Sequence, residues 1–224
     1  LRLAIQLHYQ VQPPGGDFVF HLHAAFTPRQ RVVSESLHFS QPLAYTLESS
    51  PPSTNRVLRT SALPGMLQVA YAATVDLDHW VAAPATIAEV PVSRVQAIRD
   101  WVLQHTAFSP NTSNSNTSAL DTLQSHVGVC RDFAHLMIAL CRAVNIPARF
   151  VSGIDYGADP TLGPPDFHAY VEVFLGDRWY IFDASGVAIP MGFVRFGTGR
   201  DAADTAFATM FGGVTGSAPV VQIK

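Results

Sequence analysis

The sequence contains little charge. Only 14% of its 224 residues are charged, whereas 48% are hydrophobic, and an average soluble domain has about 25% charged residues. This composition excludes an intrinsically disordered chain, which combines low hydrophobicity with high charge. The formal net charge of −3 provides no excess of positive charge, so we expect neither a nucleic-acid partner nor attraction to a membrane.

Cysteine and long apolar runs are also scarce. The two cysteines, Cys130 and Cys141, are too few for a disulfide scaffold and favour a reducing compartment, so we expect a cytoplasmic protein. No apolar run approaches the roughly 18 residues that a membrane-spanning helix requires. The chain begins at Leu1 rather than at methionine, which indicates processing and leaves a removed leader open.

The first part of the chain has the alternation of β-strands. Apolar and polar residues alternate over 1–11, 18–26 and 67–77, as in strands with one buried face. Clusters of Pro, Gly and Ser between these stretches, above all at 13–17, predict turns. We therefore predict a β-rich N-terminal domain over residues 1–84, arranged as a small antiparallel β-sandwich.

Two histidines, His21 and His23, share one face of a predicted strand. They could be interpreted as a pair of metal ligands. Two histidines alone rarely form a metal site, so the alternation favours the polar face of a strand.

Beyond residue 84 the apolar residues take helical spacing. Val92, Val95, Ile98 and Val102 predict a helix that ends near His105. The polar stretch 109–118 predicts an exposed loop. Ser118 and Asp121 have the spacing of a capping box and predict a short second helix.

Cys130 begins a strongly amphipathic pattern. The apolar residues after it recur at helical spacing: Phe133, Leu136, Met137, Leu140, Cys141 and Val144. A helix that starts at Cys130 places the thiol beside unpaired N–H groups at the positive end of the helix dipole, which favours an anion. These N–H groups can also stabilise an oxyanion. By position alone Cys130 is either reactive or a buried core residue, whereas Cys141 is expected to be a buried structural thiol.

A hairpin signal occurs after this helix. Gly176-Asp177 separates two strand-like runs and predicts a two-residue turn. With that turn Asp183 lies opposite Tyr170, and His168 becomes a diagonal neighbour of Asp183 on the same face, with Cβ atoms about 6–8 Å apart. A slip of one residue would place the two side chains on opposite faces.

Cys130, His168 and Asp183 together meet the requirements of a cysteine nucleophile. A thiolate attacks a carbonyl carbon, a histidine takes and returns the proton, and a carboxylate fixes the orientation of the imidazole. A zinc site formed by Cys130, His135 and His168 is the alternative. It is disfavoured because Cys130 and His135, five residues apart, lie on different faces of the helix.

Three segments resemble the transglutaminase-like superfamily, in particular its bacterial branch of transglutaminase-like cysteine proteases. They are GVCRDFAHLMIALCRAVNIPARFVSG at 128–153, FHAYVEVFLGDRWYIFDASG at 167–186, and GTGRDAAD at 197–204. The resemblance covers about residues 91–213. That branch commonly carries a β-rich N-terminal domain, which residues 1–84 match by type more than by motif.

The resemblance implies an α+β protein with a papain-like transglutaminase core over residues 85–224, in which the helix that bears the nucleophile packs on an antiparallel sheet. It implies Cys130 as nucleophile, His168 as general base and acid, and Asp183 as the residue that orients the histidine. Family members often follow this aspartate with Pro-Thr-Asn, whereas this chain has Ala184-Ser185-Gly186. The details of the pocket beside Asp183 are therefore open.

The expected function is thiol-dependent acyl transfer on amide bonds of a peptide or protein substrate, as a peptidase, deamidase or transamidase. Peptidase is slightly favoured by analogy with the bacterial branch. No cofactor and no metal are expected. The alternative from another class is a non-catalytic protein-binding or scaffold module that retains the fold.

Overall fold

The computed structural model describes residues 1–49, 54–80, 92–158, 161, 164–188 and 192–224. The predicted domain boundary at 84/85 lies outside these residues and stays a prediction. Among the described helices, none has the length and apolar character needed to cross a membrane.

A seven-stranded antiparallel sheet contains the N-terminal part of the chain. Its strands are β1 (Arg2–Phe20), β2 (Gln30–Phe39), β3 (Tyr45–Ser49), β4 (Arg56–Ala62), β5 (Gly65–Leu77), β12 (Ala208–Gly216) and β13 (Val220–Ile223). The strand order is β2-β5-β1-β4-β3, and β12 and β13 also pair with β1. The predicted β-rich N-terminal region is therefore confirmed.

The turn predicted at 13–17 is wrong, because β1 continues through it. The register of β1 against β12 shifts between Val11 and Gly16, since two prolines in this stretch have no N–H to donate to the ladder. The two halves of β1 bend toward one another at this bulge, and the rings of Tyr9 and Phe18 lie 5.2 Å apart in the core. The Pro-Gly cluster thus bends the strand without ending it.

His21 and His23 are not on a polar strand face, so that prediction is also wrong. Both follow the end of β1 and are buried, with 8% and 3% of their surface exposed. Nδ1 of His21 lies 3.1 Å from the carbonyl oxygen of Ala206. Nδ1 of His23 has no hydrogen-bond partner among the described residues.

The three helices form as predicted. They are α1 (Val92–His105), α2 (Ala119–Ser125) and α3 (Cys130–Ala143). The capping box of α2 is present, since the Ser118 hydroxyl accepts the Asp121 N–H and Asp121 accepts the Ser118 N–H. A short parallel pair, β6 (Ala107–Phe108) and β7 (Val127–Gly128), lies between the helices.

A second antiparallel sheet carries α3. Its strands are β8 (Ala148–Asp155), β9 (Phe167–Leu175), β10 (Arg178–Phe182) and β11 (Phe193–Gly199), in the order β10-β9-β8-β11. Alternate residues of β9, including Val171 and Val173, share one buried apolar cluster with Met137 and Cys141 of α3. This arrangement of a helix on an antiparallel sheet confirms the predicted α+β class.

Two side-chain amides join the sheets along the edge strand β11. The amide of Gln30 donates to the Arg195 carbonyl and accepts the Arg195 N–H, both at 2.8 Å. The amide of Asn55 makes the same pair of bonds with Thr198, again at 2.8 Å. These amides pair with backbone N–H and carbonyl groups on the outer edge of β11, as a neighbouring strand would.

The end of the chain returns to the first sheet, a feature that the sequence did not indicate. A 3-10 helix, Ala202–Thr205, is held against α3 by a bond from the Ala202 N–H to Nε2 of His135. β12 and β13 then pair with β1. The segment 85–224 therefore supplies strands to both sheets.

Candidate active site

The start of α3 is fixed beside Cys130. The Val129 N–H donates to Oδ2 of Asp132 at 2.8 Å, which closes the first turn. Gly128 is required there because a Cβ at this position would lie 2.7 Å from the Cβ of Asp132. Cys130, half-buried, is the first residue of the helix. Its thiol is therefore placed where the helix dipole favours an anion.

Arg131 and Asp132 form structural bonds. Asp132 is fully buried, and Arg131 pairs with its Oδ1 at 3.2 Å. The same guanidinium donates to the Ser113 hydroxyl and to the Asn114 carbonyl. The polar loop at 109–118 is thereby attached to the start of α3 next to Cys130.

The hairpin brings His168 and Asp183 together. Leu175 pairs with Arg178 and Phe182 with Val171, which is the predicted register. Nε2 of His168 lies 3.3 Å from Oδ2 of Asp183. The predicted proximity of these two side chains is confirmed.

His168 interacts electrostatically with Cys130 as well as with Asp183. Burial disfavours the charged imidazole, but hydrogen bonds to Asp183 and Cys130 and the charges of both groups outweigh burial and raise the pKa of His168 to about 10. Because Nε2 faces Asp183, Nδ1 is the ring nitrogen left for the thiol. The fold thus brings three groups together: the thiol at the start of α3, the imidazole on β9 and the carboxylate just after β10.

Asp183 accepts further bonds that the sequence did not predict. Its Oδ1 accepts from the N–H and the hydroxyl of Ser185 at 2.8 and 2.7 Å, and its Oδ2 accepts from the Ala188 N–H at 2.8 Å. Burial raises the pKa of this carboxyl. The hydrogen bond and charge of His168, together with the bonds from Ser185 and Ala188, lower it overall. Ser185, which departs from the common family pattern, therefore helps to keep Asp183 ionised.

Asp155 is a buried carboxylate of the site that sequence reasoning missed. The stretch 155–166, rich in Gly, Asp and Pro, predicts a loop, but Asp155 is the last residue of β8 and only 2% exposed. Its Oδ2 accepts a hydrogen bond from the Tyr170 hydroxyl at 2.5 Å. Tyr170 in turn meets the His168 ring edge-on, with ring centroids 4.6 Å apart. The available signal was that Tyr170 shares a strand face with His168.

Other candidate residues lie elsewhere. Trp179 packs against Phe174 and under the guanidinium of Arg149, as in ordinary sheet packing. Cys141 is fully buried, and burial raises the pKa of its thiol to about 11, which confirms a structural role. Nε2 of His135 is occupied by the Ala202 N–H. Within the described part of the chain, no group of three or more His, Cys, Asp or Glu is arranged to hold a metal ion.

Comparison with known proteins identifies the family. The model of the transglutaminase-like superfamily matches residues 80–184. A solved structure, of a candidate cysteine protease from Cytophaga hutchinsonii, is 32% identical to this chain. The match covers 99% of this chain and 88% of that one, with a TM-score of 0.86. The predicted fold, a β-rich N-terminal region with a transglutaminase-like core, is therefore confirmed.

Two mycobacterial relatives are uncharacterised. One, from Mycobacterium leprae, is 32% identical over 120 residues, which are 52% of this chain and 43% of that protein. Another, from Mycobacterium tuberculosis, is 27% identical over 197 residues, which are 77% of this chain and 62% of that protein. The chain thus spans less than two thirds of the length of either relative. From the family match and the similarity along almost the whole chain, we conclude that this protein belongs to the bacterial branch of the transglutaminase-like superfamily.

Proposed function

We propose that this chain is a cysteine-dependent acyl-transfer enzyme that acts on amide bonds of peptides or proteins. One observation carries the proposal: Nε2 of His168 lies 3.3 Å from the buried carboxylate of Asp183, and the same imidazole interacts electrostatically with the thiol of Cys130 at the start of a helix. Cys130 is the nucleophile, His168 the general base and acid, and Asp183 the residue that orients the imidazole.

In the first step the Cys130 sulfur attacks the amide carbon. The carbonyl π electrons move to oxygen, and the N–H groups at the start of α3 stabilise the oxyanion. As the tetrahedral intermediate collapses, the C–N bond breaks and His168 donates its proton to the leaving nitrogen. A thioester on Cys130 and a free amine result.

In the second step an acceptor resolves the thioester. Water, deprotonated by His168, attacks the acyl carbon and releases a carboxylic acid, while the sulfur leaves and recovers its place beside the imidazolium. A primary amine in place of water gives a new amide. We favour hydrolysis, because the similar protein from Cytophaga hutchinsonii is named as a candidate cysteine protease.

The test traps the acyl-enzyme. The protein is incubated with a library of peptides that includes glutamine-containing sequences, with and without a fluorescent primary amine, and is analysed by intact-protein and peptide mass spectrometry. We expect an adduct on Cys130, new carboxyl termini without the amine, and neither product in Cys130→Ala.

Cys141→Ala is the matched control. It removes the other thiol of the chain, which is fully buried in the apolar cluster under α3, and should retain the activity. Equal turnover by Cys130→Ala and the unaltered protein would refute the proposal. No adduct and no product with any peptide would favour a protein-binding module instead.

A further inference from the structure

Two buried side chains beside His168 have no part in the reaction just described. Tyr170 is fully buried and Asp155 is 2% exposed. The Tyr170 hydroxyl donates to Oδ2 of Asp155, and the Gly157 N–H donates to Oδ1. The Tyr170 ring is nearly perpendicular to the His168 ring, at 83°. Asp155 is thus hydrogen-bonded to Tyr170, and the Tyr170 ring contacts the imidazole of His168.

We propose that Tyr170 and Asp155 act as a pair of positioning residues, which hold the His168 ring and stabilise its charged form. The inference deepens the proposed function, since it concerns how the general base is kept ready. Neither residue touches the reacting atoms.

The geometry around Tyr170 supports a positioning role. Phe193 meets the Tyr170 ring edge-on at 4.5 Å, so the ring is held between Phe193 and His168. An imidazolium next to an aromatic ring is attracted by the electrons of the ring. A carboxylate that accepts a hydrogen bond from the phenol hydroxyl increases that electron density, and burial strengthens the effect because little water screens it.

The charge of Asp155 supports the same role. Among the ion pairs of the described residues, none involves Asp155. Burial, with the charge of Asp183, raises the pKa of Asp155 overall, although the Tyr170 and Gly157 bonds and the charge of His168 act in the opposite direction. A buried carboxylate without a guanidinium or ammonium partner costs stability. His168 is therefore the cation that Asp155 can stabilise.

Several titratable groups act on His168, and a test must separate them. They are Cys130 at the start of α3, Asp183 after β10, Asp155 at the end of β8, and Asp166 before β9. Removal of one carboxylate should shift the His168 titration downward, whatever the other groups do. Only a residue that acts through Asp155 should lose its effect when Asp155 is already neutral.

The experiment is an NMR titration of histidine-labelled protein in four forms: unaltered, Tyr170→Phe, Asp155→Asn and the double variant. Tyr170→Phe keeps the ring and removes only the bond to Asp155. We expect the His168 midpoint to fall by about one pH unit in Asp155→Asn and by a smaller amount in Tyr170→Phe. The double variant should match Asp155→Asn, because the two residues act as a unit.

Tyr180→Phe on β10 is the matched control, since Tyr180 packs against the apolar cluster under α3, and it should leave the midpoint unchanged. A midpoint in Tyr170→Phe equal to that of Tyr180→Phe would overturn the proposal, even if Asp155→Asn does not fold. Additive shifts in the double variant would overturn the coupling of the two residues. The titration needs no substrate, so a failure of the proposed amide chemistry is seen separately, as absence of turnover in the unaltered protein.

Discussion

His23, just after the first strand of the first sheet, and His168, on β9 of the second sheet, are both buried, with 3% and 7% exposed, yet their pKa values are shifted in opposite directions. Burial and the nearby charge of Arg56 lower the pKa of His23 to about 4, despite the charge of Glu35. At His168 the bonds to Asp183 and Cys130 overcome burial and raise the pKa to about 10. Burial alone makes a histidine neutral, and hydrogen-bonded anions reverse this effect.

The surroundings of His23 explain why it is structural. Arg56 is bound by both oxygens of Glu35, at 2.6 and 2.7 Å, and Glu35 also accepts the Tyr71 hydroxyl at 2.9 Å. The Glu35 carboxylate is thus bound to Arg56 and Tyr71, and the His23 ring only packs at a tilt against the Tyr71 ring, with centroids 4.8 Å apart. No anion is left for this imidazole, whereas His168 is the only cation that pairs with Asp183 among the described residues.

The largest expected effect comes from exchanging each histidine for glutamine. A free thiol with a pKa of ~8.5 is less than about 1% ionised at pH 6, so loss of the imidazolium in His168→Gln should slow alkylation of Cys130 at pH 6 by about tenfold to a hundredfold. His23→Gln should leave the rate within about twofold. Peptide mass spectrometry after timed iodoacetamide treatment measures both. Equal rates in the two variants would remove the functional difference between the histidines.

Asp183→Asn should weaken the charged state of His168 while it keeps the shape of the side chain. We expect the His168 pKa to fall and alkylation of Cys130 at pH 6 to slow by about tenfold, because the imidazolium loses its hydrogen-bonded anion. Asp177→Asn, an exposed carboxylate in the turn of the same hairpin, is the control. An unchanged His168 titration in Asp183→Asn, followed by NMR, would contradict the role of this carboxylate.

Glu35→Gln tests the hydrogen-bond network of Glu35, Arg56 and Tyr71 beside His23. The Arg56 side chain is only 5% exposed, so loss of its anion leaves a buried charge unpaired and should lower the free energy of unfolding by about 3 kcal/mol. Asp76→Asn removes an exposed partner of Arg31 and should cost no more than about 1 kcal/mol. Urea denaturation compares the variants. A stability loss in Glu35→Gln as small as that in Asp76→Asn would show that the network carries little stability.

His23 should also change how stability depends on pH in the acid range. Between pH 6.5 and 4 the unfolded chain protonates His23 whereas the folded chain does not, so the unfolded state binds more protons and stability falls as the pH falls. In His23→Leu that loss should be smaller by on the order of 2 kcal/mol. For His168 the sign is opposite, since its contribution is present below about pH 6.5 and is lost as the pH rises toward 10. Thermal unfolding across pH 4–10 measures both pH dependences. Parallel curves of stability against pH for His23→Leu and the unaltered protein would contradict the lowered pKa of His23.

Features set by neighbouring residues were predictable. The spacing of apolar residues gave α3 and its start at Cys130, and Gly176-Asp177 set the hairpin register that joins His168 to Asp183. Turn chemistry was less reliable, since the cluster at 13–17 bends β1 rather than ending it. The same prolines and glycines are compatible with a turn or a bulge, and pairing with β12 on both sides of the bend selects the bulge.

The rest depended on contacts between residues far apart in the sequence. The residues around Asp155 predict a loop, and none of them indicates its hydrogen bond to Tyr170 or its proximity to His168. The sequence likewise did not indicate the burial of His23 or the pairing of β12 and β13 with β1. The sequence by itself determined the helix that carries the thiol and the hairpin that carries the imidazole and its carboxylate, because local periodicity and turn geometry specify such elements. Only the tertiary structure decided which buried groups surround the imidazole, and hence which histidine is charged, because burial and ionic partners come from distant strands.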